Sequence, residues 1–413
     1  MDFALTPRQQ TLVDTADRLA RGFAKRAARY DEELAFPTEN FAELHTHGFL
    51  SQTIPEQYGG LGLGIDNGDP LTQWLITKSI ARGDSSTGQC QQVHNNTLSL
   101  VVLLGTEAQK RRYLTAAVKD GAVFTAYGSE PPLVTLGQRA VTTTTVAKKV
   151  SGGYVINGRK YYATNAGGNR YAMLAVMVEG ARDALAGMIL PMIEADAPGV
   201  TIEPTWWSHA TGMRATVSHL VEFHDLFVRD DELLGQPGDY LRYGVQAKLL
   251  PQFASNFVGC AEAAYEFALE YLRNRGKTGD PYIQHYVAEM RMAIQTMTMW
   301  LYHTAWLWQQ QQTAQAQLAA HMYRVITEKE ALKVVQLAIT ACGAGATMSH
   351  YPLERIHRDL TFYARHENAD NLKATVGKAE LGAEYDPTLR DFLNYAVGAP
   401  QVGAPQVGAP QQS

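Results

Sequence analysis

The chain has 413 residues, of which 46% are hydrophobic and 19% charged, and its formal net charge is −5. This length and composition are typical of a water-soluble globular protein with a large core and two or three domains. The acidic balance, without a dense run of lysine and arginine, excludes the usual basic surface of a nucleic-acid-binding protein. No apolar run approaches the ~20 residues of a membrane span, and the first residues do not resemble a signal peptide.

The three cysteines, Cys90, Cys260 and Cys342, are far apart in the sequence. Their spacing predicts neither a metal site nor a disulfide framework, and it is typical of a reducing compartment. We therefore expect a cytoplasmic protein that has no bound metal and no membrane partner.

Residues 1–120 show helical periodicity. Thr6 and Pro7 have the residue types of an N-cap and a first helical position, and Thr106 with Gln109 has the spacing of a capping box. Further helices are predicted at 41–47, 70–82, 88–105 and 106–118. The sequence thus predicts an N-terminal α-helical domain over 1–120.

After Gly121 the hydrophobic period becomes that of strands. Short runs of β-branched and aromatic residues, separated by Pro, Gly and Asn, predict a β-domain of sandwich or barrel type over 121–235. Asn157-Gly158 is a typical two-residue turn, so we predict a hairpin between residues 154 and 164. It leads to Thr164-Asn165, a hydroxyl and an amide beside two glycines, where a ligand can approach the backbone closely.

Residues 236–390 return to helical periodicity and predict a four-helix bundle. The chain as a whole is therefore expected to be an α+β protein, with the β-domain between two helical domains. Residues 391–413 repeat the unit Val-Gly-Ala-Pro-Gln, which has few side chains that can form a core. We expect this segment to be a disordered tail.

Six short phrases in one order connect the chain with a known family. They are Pro55-Glu-Gln-Tyr-Gly-Gly, Gly105-Thr-Glu-Ala-Gln-Lys, Asn157-Gly-Arg-Lys with Thr164-Asn165, Thr211-Gly-Met-Arg, Leu233-Leu-Gly and Pro352-Leu-Glu-Arg-Ile-His-Arg-Asp. Through these phrases the chain resembles the acyl-CoA dehydrogenase superfamily over about residues 3 to 385. The resemblance implies the same three-domain fold and a flavin, FAD, between the β-domain and the C-terminal bundle.

The resemblance assigns four residues to the flavin ring. Tyr127 and Ser129 match the segment that contacts the isoalloxazine. Thr164 matches a hydroxyl that hydrogen-bonds the ring near its N5 atom, and Tyr162 matches a tryptophan that packs on the ring.

Two further residues match the part of the family that binds the rest of the cofactor. Arg275 matches an arginine that holds the pyrophosphate across a subunit interface, a bidentate role that suits guanidinium. Gly343 belongs to the phrase that contacts the cofactor from the partner subunit. The resemblance therefore implies a homotetramer or a homodimer.

For the reaction, the resemblance implies α,β-dehydrogenation of an acyl thioester, in which a carboxylate removes the α-proton. Counting without gaps from Arg358-Asp359 puts Glu367 at the position of that carboxylate. Glu367 is therefore the expected general base.

A second reaction stays open because of His366. Flavin-dependent monooxygenases on the same fold, such as those that oxidise dibenzothiophene, have a histidine at this place and use reduced flavin with O2. His94 lies in the helix that supplies another pocket histidine in those enzymes. In this alternative, His366, His94 and Ser129 are the pocket residues.

Three departures from the dehydrogenase pattern bear on cofactor and substrate. Ser129-Glu130-Pro131 is not followed by the Gly-Ser-Asp turn that helps to bind pantetheine, and Leu250 replaces the arginine expected near the acyl pocket. The residues for the adenosine half of the cofactor also differ after Arg275. These departures leave FMN or reduced flavin open as cofactor, a small molecule as substrate, and a flavin reductase or another electron-transfer protein as partner. A non-catalytic flavoprotein that acts through its tail is a third hypothesis.

Overall fold

The structure, a computed structural model, describes residues 3–130, 141–366, 369–386 and 395–397. In this part of the chain, five helices precede the first strand. They span Pro7–Glu33 (α1), Thr38–Thr46 (α2), Pro70–Gly83 (α3), Ser85–Leu104 (α4) and Glu107–Asp120 (α5). Capping boxes at Thr6 and Thr106 begin α1 and α5, as the sequence predicts.

The β-region forms two packed sheets. The strands span Phe124–Tyr127 (β1), Val141–Thr143 (β2), Val146–Val150 (β3), Gly153–Ala163 (β4), Tyr171–Leu174 (β5), Val176–Val178 (β6), Met188–Ile189 (β7), Met192–Glu194 (β8), Val200–Glu203 (β9) and His219–Arg229 (β10), with a one-turn helix at Ala184–Gly187 (α6).

Strands β1, β5 and β8 form one sheet, and the second sheet has the order β7-β6-β3-β4-β10-β9. Apolar residues of both sheets share one buried cluster, and neither of these described sheets closes on itself. The barrel alternative was therefore wrong.

The hairpin predicted at Asn157-Gly158 was also wrong, because β4 runs through both residues without a turn. Asn157 instead lies opposite an irregularity in β10, where its side chain exchanges hydrogen bonds with Asp225 at 2.9 and 3.0 Å. A β-carbon at Gly158 would lie 2.5 Å from Thr145 Cα. The Asn-Gly pair therefore accommodates a β-bulge and a close backbone approach.

The C-terminal region is helical, as predicted. Its helices span Asp239–Arg242 (α7), Val245–Asn274 (α8), Pro281–Gln309 (α9), Thr313–Cys342 (α10), Pro352–Tyr363 (α11) and Ala369–Glu380 (α12), and Tyr395–Val397 (β11) pairs with β2. Helices α8, α9 and α10 share one apolar core with α3 and α11. The sequence reading missed α11, although Pro352 at its first turn is a helix-start signal.

Helix α4 lies in the interior and has an unusual composition. None of its residues is Asp, Glu, Lys or Arg, and Gln89, Gln91, Gln92, Asn95 and Asn96 are all buried. Its amides bond distant elements: Gln252 Nε2 donates to Asn96 Oδ1 at 2.6 Å, and Tyr363 Oη donates to Gln92 Oε1 at 3.1 Å. This helix therefore joins α8 and α11 through polar contacts.

Two of the predictions, the domain boundaries and the disordered tail, are not tested by the structure. The division of the chain at residues 120 and 235 into domains stays a prediction. Most of the repeat tail lies outside the described residues. Among the residues that are described, no helix combines the length and apolarity of a membrane span.

The buried side chain of Lys160 ties residues 128–130, which follow β1, to strand β4. Its side chain is 2% exposed, and Nζ donates to Glu130 Oε1 at 2.6 Å, Ala175 O at 2.7 Å and Gly128 O at 3.2 Å. Tyr161 N donates to Ser129 O at 2.9 Å in the same place. Burial lowers the pKa of Lys160, whereas the Glu130 carboxylate opposes this effect and favours the charged form.

Replacing Lys160 should strongly destabilise the protein. Lys160→Met leaves the Glu130 carboxylate buried without its cation, so we expect the free energy of unfolding to fall by about 3–5 kcal/mol. Arg159→Met is the matched control, because Arg159 is exposed on the same strand and lies 3.9 Å from Glu222; it should change stability by less than about 1 kcal/mol. Urea unfolding followed by tryptophan fluorescence measures both, and equal losses would contradict the assignment.

Candidate active site

A cavity of about 620 Å³ lies where β4, the segment before β10, α4 and the end of α11 meet. Its size is within the range of small-molecule and cofactor sites. It is lined by Gln89 from α4, Ser129, Tyr162 and Thr164 around β4, Trp207, Thr211, Met213, Thr216 and Ser218 before β10, and His357, Arg358, Thr361, Phe362, Tyr363, Arg365 and His366 from α11 and the residues that follow it. None of the described lining residues is a carboxylate.

One wall of the cavity is aromatic. Tyr162 has a left-handed backbone (φ 53°) and is 52% exposed, which turns its ring away from the sheet. Trp206 contacts it edge-on at 5.0 Å between ring centroids, and Trp207 contacts Phe362 in the same manner at 5.7 Å. These rings make the wall apolar, and a planar ligand can pack against an individual ring face.

A row of hydroxyl groups also lines the cavity, next to the end of β4. Thr164 Oγ1 lies 2.9 Å from Ser218 Oγ, which lies 2.7 Å from Thr216 Oγ1. We call Thr164, Ser218 and Thr216 the hydroxyl chain. All three residues are at most 5% exposed, so these hydrogen bonds are largely shielded from bulk solvent although the residues border the cavity.

The segment that carries two of these hydroxyls is held in a strained conformation. Met213 and Val217 have φ angles of 55° and 42°, a region that a β-branched residue rarely occupies. Met213 N donates to Asp359 Oδ1 at 2.6 Å, so α11 anchors the segment. Burial raises the pKa of Asp359 to about 7, although the charge of Arg355 and the bond from Met213 both oppose this rise.

His366 lies at the end of α11 on the cavity wall. Its ring stacks on Phe253 at 4.7 Å and contacts Tyr363 at 5.9 Å. His366 is nevertheless exposed, because its other side borders the cavity. The packed rings reduce the hydration of the imidazole and so lower the pKa of His366, and the charge of Arg324 acts in the same direction. The imidazole is therefore neutral at pH 7, with one nitrogen that donates and one that accepts.

His94 does not reach this cavity. It is fully buried; its Nε2 donates to Leu50 O at 2.6 Å, and its Nδ1 accepts from Phe124 N at 2.9 Å. Both ring nitrogens are thus used by backbone groups, and burial lowers the pKa of His94 to about 4. The expectation that His94 is a pocket residue has to be corrected: its geometry is that of a structural histidine.

The remaining candidates are found in three places. Tyr127 is buried behind the cavity, where its hydroxyl donates to Asn169 Oδ1 at 3.0 Å. Arg275 and Gly343 lie at exposed ends of α8 and α10, away from the lining residues, and the Arg275 guanidinium stacks on the Tyr271 ring at 4.3 Å. Glu367 lies outside the described residues.

The sequence reading missed several cavity residues. Trp207, Thr216 and Ser218 lie about 50 residues after Thr164 in the chain, and only the sheet brings them together. Gln89 had a usable signal, since a 20-residue helix without a charged side chain indicates burial on all sides. A run of buried amides in such a helix indicates a polar internal surface.

The residues that are present fit a flavin ring. The aromatic wall offers apolar ring faces, and Ser129 and Thr164 add hydroxyl groups to the lining. Arg275 is not a lining residue of this cavity; its exposed guanidinium suits a phosphate group.

Comparisons with known proteins show the family and the fold of the chain. The family models "Acyl-CoA dehydrogenase, N-terminal domain", "middle domain" and "C-terminal domain" match residues 6–120, 134–226 and 251–367. A probable acyl-CoA dehydrogenase, FadE25 of Mycobacterium tuberculosis, is 24% identical over 86% of this chain and 90% of its own length. Dibenzothiophene monooxygenase of Rhodococcus erythropolis is 25% identical over 92% and 98%. FMN-bound TdsC from Paenibacillus sp. A11-2 has the same fold, with a TM-score of 0.81 at 21% identity over 92% and 99%.

Substitution of His94 should affect stability in a pH-dependent way. His94→Gln keeps a donor for Leu50 O but leaves the Phe124 N–H unpaired, so the variant should lose about 1–3 kcal/mol at pH 7. The folded-state pKa of about 4 lies below the unfolded value, so wild-type stability falls as the pH falls from about 6.5 towards 4. The variant lacks this loss, and the difference should shrink by about 2 kcal/mol between pH 7 and pH 5.

Urea unfolding of both proteins at pH 7, 6 and 5 measures this effect. His224→Gln is the control, because the side chain of His224 is 69% exposed and its replacement should cost less than about 0.5 kcal/mol at pH 7. A His94→Gln deficit that stays constant with pH would contradict the structural role.

Proposed function

Because the chain belongs to the acyl-CoA dehydrogenase family, we propose its reaction from the cavity: it is the oxygenase of a two-component monooxygenase that uses reduced flavin and O2. The family makes the protein a flavin-dependent oxidoreductase that binds FAD, and FMN is the alternative. The finer reaction and substrate are part of the proposal. The substrate is a small organic molecule that fits beside the flavin in the cavity.

The observation that carries the proposal is the position of His366. Its imidazole borders the cavity, where the N–H of the ring can donate a hydrogen bond to an oxygen atom. The pKa of the ring is lowered, so it takes a proton from carbon less readily than an ordinary histidine does.

Each wall of the cavity has a separate task in this proposal. Ser129 and Thr164 bind the edge of the flavin ring, and Tyr162 and Trp207 cover its face and exclude water. Reduced flavin, when bound, supplies the two electrons and two protons with which O2 gives one oxygen atom to the substrate and the other to water. His366 donates a hydrogen bond to oxygen at the wall, and Phe253 and Tyr363 hold its ring in place.

This reaction involves partner proteins. A flavin reductase supplies the reduced cofactor that the oxygenase uses. We assign Arg275 and Gly343 to the cofactor of a neighbouring subunit, which makes the protein a homodimer or a homotetramer. The exposure of both residues in a single chain supports this assignment.

Dehydrogenation of an acyl thioester is the second candidate, with Glu367 as the base. What favours it is that Glu367 directly follows His366, a residue of the cavity wall. The absence of the pantetheine turn after Ser129 and the presence of Leu250 at the expected arginine position count against it.

Rapid mixing of the flavin-loaded protein separates the two reactions. Protein with chemically reduced FMN, kept free of oxygen, is mixed with oxygenated buffer while the absorbance of oxidised flavin is recorded. We expect its return to be at least about tenfold slower than for free reduced FMN, because the aromatic wall limits the access of water to the flavin ring and His366 donates a hydrogen bond at the wall. His366→Ala should remove most of this delay.

Glu367→Gln is the matched control, because it changes the neighbouring residue and should keep the delay. The opposite result would be prompt return of the oxidised flavin, together with bleaching of the oxidised protein by acyl-CoA thioesters. If Glu367→Gln also abolished the bleaching, the protein would be a dehydrogenase and the monooxygenase proposal would be wrong.

A further inference from the structure

The hydrogen bonds of the hydroxyl chain run in one direction. Thr216 Oγ1 donates to Met213 O at 2.7 Å, and a carbonyl oxygen can only accept. A hydroxyl group has one proton, so Thr216 has none left for Ser218 and must accept from it. Ser218 has then used its own proton, and Thr164 must donate to Ser218.

Because each hydroxyl group has one proton, the hydrogen bonds of Thr164 also determine whether it can donate to or accept from a ligand. Its only proton points to Ser218, and Gln89 Nε2 donates to Thr164 Oγ1 from another side at 3.4 Å. Only an oxygen lone pair therefore remains for a group in the cavity. In this arrangement Thr164 accepts a hydrogen bond from the ligand and does not donate one.

The start of the hydroxyl chain is fixed by the fold. The Met213 backbone is held in its left-handed conformation by Asp359, and Met213 O also accepts from Thr216 N at 3.0 Å. Val217 is packed so closely that a β-carbon at Gly167 would lie 3.1 Å from its Cγ2. The carbonyl that sets the direction therefore cannot turn away.

We propose that Ser218 and Thr216 are positioning residues that make Thr164 a hydrogen-bond acceptor towards flavin N5, so that the site favours the reduced cofactor. The inference rests on the proposed function, which puts the flavin ring at Thr164. Reduced flavin carries a hydrogen on N5 and can donate to Thr164, whereas oxidised flavin has a bare nitrogen there and needs a donor. An oxygenase that receives reduced flavin from another protein requires this preference.

The opposite direction is disfavoured by one hydrogen bond. For Thr164 to keep its hydrogen bond with Ser218 and also donate to oxidised flavin, Ser218 must turn its proton to Thr164. Ser218 then no longer donates to Thr216, so either that hydrogen bond or the bond from Thr216 to Met213 O is lost, at residues that are at most 5% exposed. Reduced flavin binds without this rearrangement.

The test compares the affinities of the two flavin forms in variants of the full-length protein. Dissociation constants for oxidised and for reduced FMN are measured by titration under anaerobic conditions, and the midpoint potential of the bound flavin gives their ratio independently. Ser218→Ala frees the Thr164 proton, so the preference for reduced FMN should fall about tenfold, which lowers the midpoint potential by about 30 mV for the two-electron couple. Thr216→Val should act in the same direction.

Two variants provide the controls. Thr216→Ser keeps the hydroxyl and should retain the wild-type ratio, which separates the hydrogen bond from packing. Thr164→Val removes the group that meets the flavin and should weaken binding of reduced FMN.

The outcomes distinguish this inference from the proposed function. If Thr164→Val weakens flavin binding but neither Ser218→Ala nor Thr216→Val changes the ratio, the direction of the hydroxyl chain is wrong while the placement of the flavin stands. If Thr164→Val leaves both affinities unchanged, the flavin is not at Thr164, and the inference fails together with the site.

Discussion

The hydrogen bond from Met213 N to the buried Asp359 carboxylate is the constraint on which the cavity depends. It joins α11, whose end carries His366, to the strained segment that carries Thr216 and Ser218. Arg355, one turn before Asp359, pairs with Asp84 at 3.3 Å, and Asp84 caps the first turn of α4. The carboxylates of Asp359 and Asp84 and the guanidinium of Arg355 thus join α11, the segment before β10 and α4, which form three walls of the cavity. None of these three charged groups lines the cavity.

The local parts of this structure could be predicted from sequence, because local rules determine them. Thr6 and Thr106 cap helices with partners three residues away, and the period of hydrophobic residues separates helices from strands. The non-local parts could not be predicted in this way. The Asn157-Gly158 pair is typical of a turn, but β4 continues through it because it pairs with β10, some 68 residues later in the chain. The hydroxyl chain has the same origin, since 54 residues separate Thr164 from Ser218.

The family resemblance identifies residues of the site, whereas their hydrogen bonds and charges follow only from the structure. The resemblance identified Ser129, Tyr162, Thr164 and His366, and the structure brings these four to one cavity. It also suggested His94, which a sequence pattern cannot distinguish from a structural histidine because the two backbone partners, Leu50 and Phe124, are set by the fold. What resemblance supplies is a list of residue types at aligned positions. The direction of a hydrogen bond or the charge of an imidazole depends on the three-dimensional surroundings.

The uncharged helix α4 has a consequence for how the chain folds. Its buried amides and hydroxyls form hydrogen bonds with residues that are synthesised much later. The pairs are Asn96 with Gln252, Ser85 with Asn256, and Gln92 with Tyr363, which lies 271 positions further along the chain. Until those partners arrive, water must hydrate these groups, and burying them earlier would be unfavourable. A cavity built on contacts of such long sequence separation forms late on the ribosome, and the newly made N-terminal helices depend on the C-terminal helices for their final packing.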